Sequence, residues 1–356
     1  MGKVVYLLGA GASYGRRGPQ KMPFVLEEPK EFAEISRTDC ECPDILEGLP
    51  IVSELPERMK YILSRVNDAM LRIGVENDTR NIIERLSKDL VWLQDSSANH
   101  ATVDTYAKKL WLTGKKDEYN RLKRTLSAFF MLEQVFNKPD KRYDAFFASI
   151  LGNDVKDLPS NVRILSWNYD MQIELAYSEY LDNSNLNDIE ESLLFYQKTV
   201  DVNGYRLGNG FRVVKLNGSA LMFEKYNRAI INLGIDDTYT ESECIEKIAS
   251  IAYSGEYDCA LSFAWEETDD TFLSNIQKNI SDADVLVVIG YSFPFFNRNM
   301  DTAIIKSLPT LKKIYIQDEK PEVVMESIDN FYPTKALRPQ MIPVRSTWQF
   351  CLPPEL

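Results

Sequence analysis

Histidine is nearly missing from this chain: His100 stands alone among 356 residues. That excludes a His-rich metal centre and any relay built from several imidazoles. The five cysteines, Cys40, Cys42, Cys244, Cys259 and Cys351, form no Cys-x-x-Cys pair, so no zinc ribbon and no metal are expected. Their odd number fits a reducing compartment, and strand-like sequence from residue 3 leaves no room for a targeting segment, so the expected location is cytoplasmic. No apolar run reaches the roughly 18 residues that a membrane span needs. Positive charge is also scarce, with 41 Lys and Arg against 53 Asp and Glu, a formal charge of -12. Bulk electrostatic binding of nucleic acid is therefore not expected.

What is present is a core-forming composition, 44% hydrophobic, enough for one large domain or two moderate ones. Short apolar runs recur, and each ends in residues suited to a ligand. Lys3-Val4-Val5-Tyr6-Leu7-Leu8 feeds the glycine turn Gly9-Ala10-Gly11-Ala12-Ser13. A turn of this kind lets backbone approach a phosphate, and the amides of the following helix point at its charge. Val162-Arg163-Ile164-Leu165 runs into Ser166-Trp167-Asn168-Tyr169-Asp170, where Asn168 and Asp170 are either ligand groups or caps of the next helix. Val213-Val214-Lys215-Leu216 ends in Asn217-Gly218-Ser219, and Asp284-Val285-Leu286-Val287-Val288-Ile289 in Gly290-Tyr291-Ser292. Lys313-Ile314-Tyr315-Ile316 ends at Gln317-Asp318. Such runs separated by helical patterns predict parallel strands, with ligands bound beyond their carboxyl ends.

Between the first two strands, residues 54–151 read as helical. Met59, Ile62, Val66, Met70 and Ile73 keep helical spacing, as do Leu122, Leu126, Phe129, Leu132 and Phe136. These stripes are core positions, and His100 falls in a polar connection between helices, read as surface. The expected fold is α/β, a Rossmann-like doubly wound parallel sheet with a large all-helical insertion. Residues 1–53 and 152–332 form the sheet domain, 54–151 the insertion, and 333–356, rich in proline, an irregular tail. Residues 14–56 read as a long loop in which Arg16 and Arg17 could contact phosphate.

Taken in order, the four segments Gly9-Ala10-Gly11-Ala12-Ser13, Ser166-Trp167-Asn168-Tyr169-Asp170, Lys215-Leu216-Asn217-Gly218-Ser219 and Gly290-Tyr291-Ser292 resemble the motifs of the sirtuin-like family. The absent zinc ribbon and the helical insertion resemble its bacterial anti-phage defence branch, whose members hydrolyse NAD. The resemblance implies NAD as substrate, a turn at Gly9 to Ser13 holding the pyrophosphate, and Asn168 orienting ribose and the attacking water. It further implies Asp170 at the nicotinamide carboxamide, Gly290 and Ser292 at ribose-phosphate, and Gln317 and Asp318 near the adenosine end. Partners implied are a second copy of the chain, or a HerA-type ATPase or Argonaute-type protein.

One position departs from the pattern. Asn217 stands where the family carries its histidine base, and an amide cannot take a proton at neutral pH. The expectations are therefore an NAD glycohydrolase, or a weakened or inactive NAD or ADP-ribose binding module. An NAD-dependent protein deacylase is a further alternative, but it lacks a zinc module here. A hydride-transferring dehydrogenase is disfavoured: the third glycine, Gly15, comes one residue late, and no acidic strand end follows about 20 residues on.

Overall fold

A computed structural model describes residues 2–14, 49–50, 54–72, 77–137, 139–152, 158–181, 186–198, 211–224, 239–266, 268, 270–334 and 337–356. Arg16, Arg17, Cys40 and Cys42 lie outside these residues. The frame is a seven-stranded sheet in which every neighbouring pair is parallel. Its strands are β1 (Val4–Leu8), β2 (Val162–Ser166), β3 (Phe195–Gln197), β4 (Val213–Lys215), β7 (Val285–Ile289), β8 (Lys313–Gln317) and β9 (Gln340–Val344), in the order β3-β4-β2-β1-β7-β8-β9. Every residue of β1, β2 and β7 is buried, in keeping with their mostly apolar runs and with helices covering both faces of a parallel sheet.

One face packs on α5 (Lys141–Ile150), α6 (Gln172–Ser178) and α7 (Leu186–Ser192), with Tyr6 and Leu8 meeting Phe147 and Ile173. The other packs on α9 (Asp270–Ile280), α10 (Arg298–Lys306) and α11 (Pro321–Asp329), with Val5 and Leu7 beside Ile276 and Ile304. From β1 the chain passes to β2, then to β3 at the edge and back inward to β4, and only then crosses to β7 on the other side of β1. That crossing is the switch point at which open α/β sheets bind ligands. Register sharpens it: Leu8 lies between Ser166 and Ile289, so Gly9, Trp167 and Gly290 leave the sheet together.

A separate core joins α1 (Leu55–Arg72), α2 (Asn77–Ala98), α3 (Val103–Leu112) and α4 (Lys116–Phe136), and the expected stripes supply it, apart from Ile73, which lies outside the described residues. Two differences from the sequence reading have physical causes. The bundle is completed by later chain: α8 (Glu241–Tyr253) and the antiparallel pair β5 (Gly218–Glu224) and β6 (Tyr257–Leu261) add Ile245, Ile248, Met222 and Leu261 to its core, with Phe263 just past β6. Conversely α5, inside the 54–151 block, turns its Tyr143 and Phe147 to the sheet. The tail at 333–356 is irregular over most of its described residues, as expected, but it also holds β9, which extends the sheet at its edge, where Pro343 is tolerated, and Phe350 is buried against Tyr143. His100 is half-buried, its Nδ1 2.8 Å from the Ser96 carbonyl oxygen and its ring 4.5 Å from that of Tyr106.

No helix among the described residues is long and apolar enough to cross a membrane.

Candidate functional site

At the end of β1 the chain makes a single 3₁₀ turn, Ala10–Ala12. The glycines here serve another stretch of backbone. A Cβ on Gly9 would lie 2.5 Å from the Gly290 carbonyl oxygen, and one on Gly11 2.8 Å from the Gly290 Cα. Gly290 itself has φ +57, a conformation that glycine adopts without penalty. The Gly9 amide donates to Ile289, Gly11 to Gly290, Ala12 to Gly9 and Ser13 to Ala10, all through carbonyl oxygens. The turn therefore occupies most of its own donors, and the helix whose amides were expected to face a phosphate falls outside the described residues. Arg142 ties the turn from behind, donating to the Gly11 and Ala12 carbonyls at 3.0 and 3.1 Å while paired with Asp140.

Asn168 is not a helix cap. Its Nδ2 donates to the Gly9 carbonyl at 2.9 Å and to Ser13 Oγ at 3.1 Å, and Ser13 Oγ lies 3.0 Å from the Tyr143 hydroxyl. With both amide hydrogens engaged, the group turned to a ligand is the Oδ1 acceptor. Asp170 stands one residue ahead of the N-cap Met171 and serves the start of α6: its Oδ1 accepts from the Gln172 amide at 3.0 Å. The sequence had left ligand group and cap as alternatives for the pair, and the geometry divides them.

Asn217 Nδ2 donates to the Trp167 carbonyl at 3.3 Å, while its buried Oδ1 has no partner. Beneath it, the fully buried Lys215 lies 3.3 Å from Glu174 Oε1 and donates to the Asp170 carbonyl, fixing the start of α6 to β4. Burial raises the Glu174 carboxyl, opposed by the Lys215 charge.

The end of β7 supplies the opposite wall. Tyr291 is stacked on Trp167 with ring centroids 5.8 Å apart, and its hydroxyl donates to Asp301 Oδ2 at 2.8 Å while accepting from Asn297 Nδ2 at 2.9 Å. Burial pushes the Asp301 carboxyl up to about 8, with the tyrosine hydrogen bond working the other way. Phe293 follows with φ 55, unusual for a non-glycine residue and a sign of a locally constrained turn.

These strand ends and the bundle enclose a cavity of about 480 Å³, within the range of small-molecule sites. Ala10, Ser13, Asn168, Asp170, Asn217, Gly290 and Ser292 line it. Gly9, Gly11 and Ala12 stand behind the wall, shaping it without lining it. Gln317 and Asp318 do not line it either. Gln317 Nε2 donates to the Ser346 and Gln349 carbonyls at 2.6 Å, and its Oε1 accepts from the Cys351 amide at 2.9 Å. Asp318 Oδ1 accepts from the Lys320 amide at 2.8 Å, a local turn ahead of α11.

The bundle contributes a group that the sequence reading missed, Asp104 in the first turn of α3. The cap of α3 is Thr102, whose hydroxyl accepts from the Thr105 amide at 3.0 Å, so Asp104 is not needed for that purpose. Burial pushes its carboxyl up to about 6. The one signal in sequence was an acid just inside a Thr-capped helix, indistinguishable there from ordinary pairing with the helix dipole. Among the described lining residues there are two carboxylates, Asp104 and Asp170, and no Lys, Arg or His. The cavity suits a ligand portion that is aromatic, hydroxylated or positively charged.

No protein-family model matches the chain, and no curated protein matches it.

Proposed function

We propose that this chain is an NAD glycohydrolase, cleaving NAD to nicotinamide and ADP-ribose. The observation that carries this reading is the convergence of Asn168, Asp170 and Asn217 on one cavity at the sheet's switch point, with carboxylates and no cation among its described lining residues. Nicotinamide in NAD is a cationic pyridinium, and its loss passes through an oxocarbenium-like state that is also cationic. An environment with fixed negative charge and inward acceptors favours both over neutral or anionic groups.

The roles follow from the free atoms. Asn168 Oδ1 accepts from a ribose hydroxyl, and Asn217 Oδ1, unpartnered in its present surroundings, accepts from a second hydroxyl or from water. Asp170 faces the carboxamide of nicotinamide with the oxygen that the bond to the Gln172 amide leaves over. The stacked Trp167–Tyr291 pair forms an aromatic wall. In keeping with the resemblance, the protein is read as a cytoplasmic defence effector restrained by self-association or by a HerA-type or Argonaute-type partner.

The second reading, an NAD or ADP-ribose binding module without turnover, is favoured by Asn217, which cannot act as a base. Purified protein incubated with NAD separates the two. Nicotinamide release that is lost in Asn168→Ala supports hydrolysis. Binding by calorimetry with no release overturns hydrolysis in favour of the module.

A further inference from the structure

The hydrolysis read above leaves one proton without a destination. When the C–N bond to nicotinamide breaks, its electron pair goes to the ring nitrogen and neutral nicotinamide departs. Water oxygen then bonds to the ribose carbon, and one water proton must leave. Neither Asn168 nor Asn217 can take it, because a carboxamide oxygen is not basic at neutral pH.

We propose that Asp104 takes this proton, so that the base comes from the helical bundle rather than from the strand ends. The geometry singles it out. Asp104 is part of the cavity wall, on the side facing the β2 and β7 ends. Burial raises the Tyr169 and Tyr291 hydroxyls, and the Asp104 charge adds to the rise at both, which sets it close to the two. Among the described residues of the cavity wall, the β2 end supplies Tyr169 and Asp170, the β7 end Tyr291, and α1 and α4 the apolar Leu55, Leu126 and Phe130, while Tyr119 of α4 and Glu266 act on Tyr169 as Asp104 does. The nearest cation on its own helix, Lys108, lies over the Trp265 ring at 5.2 Å. Asp104 therefore has no ion-pair partner among the described residues, and Thr102 already caps the helix. An acid whose purpose was the helix dipole alone gains nothing from facing a cavity that raises its carboxyl to about 6. A base poised just below neutral pH is, by contrast, well matched to accepting a proton from water. Asp170 is the other carboxylate available, but its Oδ1 is committed to the Gln172 amide.

This inference rests on the glycohydrolase reading, and the experiment keeps the two apart. NAD binding by calorimetry and nicotinamide release would be measured for the wild type, Asp104→Asn and Asp104→Glu across pH 5 to about 8. The wild type is expected to lose kcat/KM as pH falls through about 6, because the carboxylate must be free to accept the proton. Asp104→Asn, equal in shape, should bind NAD within about threefold of the wild type. It should release nicotinamide at least about 100-fold more slowly, with the acidic limb gone. Asp104→Glu should recover part of the rate and the limb. An Asp104→Asn protein with wild-type release and an unchanged limb overturns this inference alone. So does one whose binding is lost in proportion to its rate. A wild type that binds NAD and releases no nicotinamide overturns the glycohydrolase reading and this inference with it.

Discussion

Strands β2 and β8 both end in polar side chains at the same edge of one parallel sheet, and the two ends are put to different uses. Past β2, Asn168 holds the neighbouring glycine turn with its donors and leaves an acceptor facing a cavity. Past β8, Gln317 engages its whole amide with the segment from Ser346 to Cys351. What differs is the covering element. The helical bundle arches over β2, β1 and β7 and leaves space beneath it, whereas the C-terminal segment lies directly on β8. A polar strand end is a binding site only where the chain above it stands off.

The sharpest way to break this comparison is to truncate each amide. Asn168→Ala should lower nicotinamide release by about 10²–10³-fold, as losing a preorganised polar group at a reacting centre commonly does. Its stability should fall by only about 1–2 kcal/mol, for the bonds to Gly9 and Ser13. Gln317→Ala should do the reverse, with release unchanged and stability lower by roughly 2–3 kcal/mol, because two carbonyls and one amide lose their partner. Urea unfolding and a nicotinamide assay on both variants decide it. A Gln317→Ala protein that is stable but slow would return that residue to the substrate site.

A pH-dependent effect probes the wall behind Tyr291. The Asp301 carboxyl is raised to about 8 from an ordinary value near 3.8, so the folded state keeps a proton that the unfolded chain releases. Stability is then greatest at acid pH and declines as pH rises through about 8. Asp301→Asn keeps an acceptor for the Tyr291 hydroxyl and has no proton to lose. Its melting temperature relative to the wild type should rise between pH 5.5 and about 8 and then level off, by an amount corresponding to roughly 3 kcal/mol. A gap that stays constant with pH would mean that Asp301 is not protonated in the folded protein.

The parallel strands at 162–166, 213–215, 285–289 and 313–317 were legible because buried strands in such sheets carry short, mostly apolar runs, unbroken only at 285–289. β9 was not, since an edge strand with Pro343 and exposed Gln340 has no such run. The β5–β6 pair was hidden because β5 starts inside the Asn217-Gly218-Ser219 motif and its partner lies beyond a helix. For the site, the residues past β1, β2, β4 and β7 could be read from their positions. Gln317 looked equivalent because nothing local shows what lies above a strand end. Asp104 was out of reach for the converse reason: its proximity to the cavity is a property of bundle docking, not of its own helix.

The approach of Gly11 and Gly290 also makes two distant positions behave as a single genetic locus. Alanine at either one intrudes on the other's backbone, so each substitution should damage the protein about as much as both together. A double-mutant cycle on Gly11→Ala and Gly290→Ala should show strong coupling across the chain. Libraries that vary the two turns separately would find both intolerant and miss that they answer to one constraint.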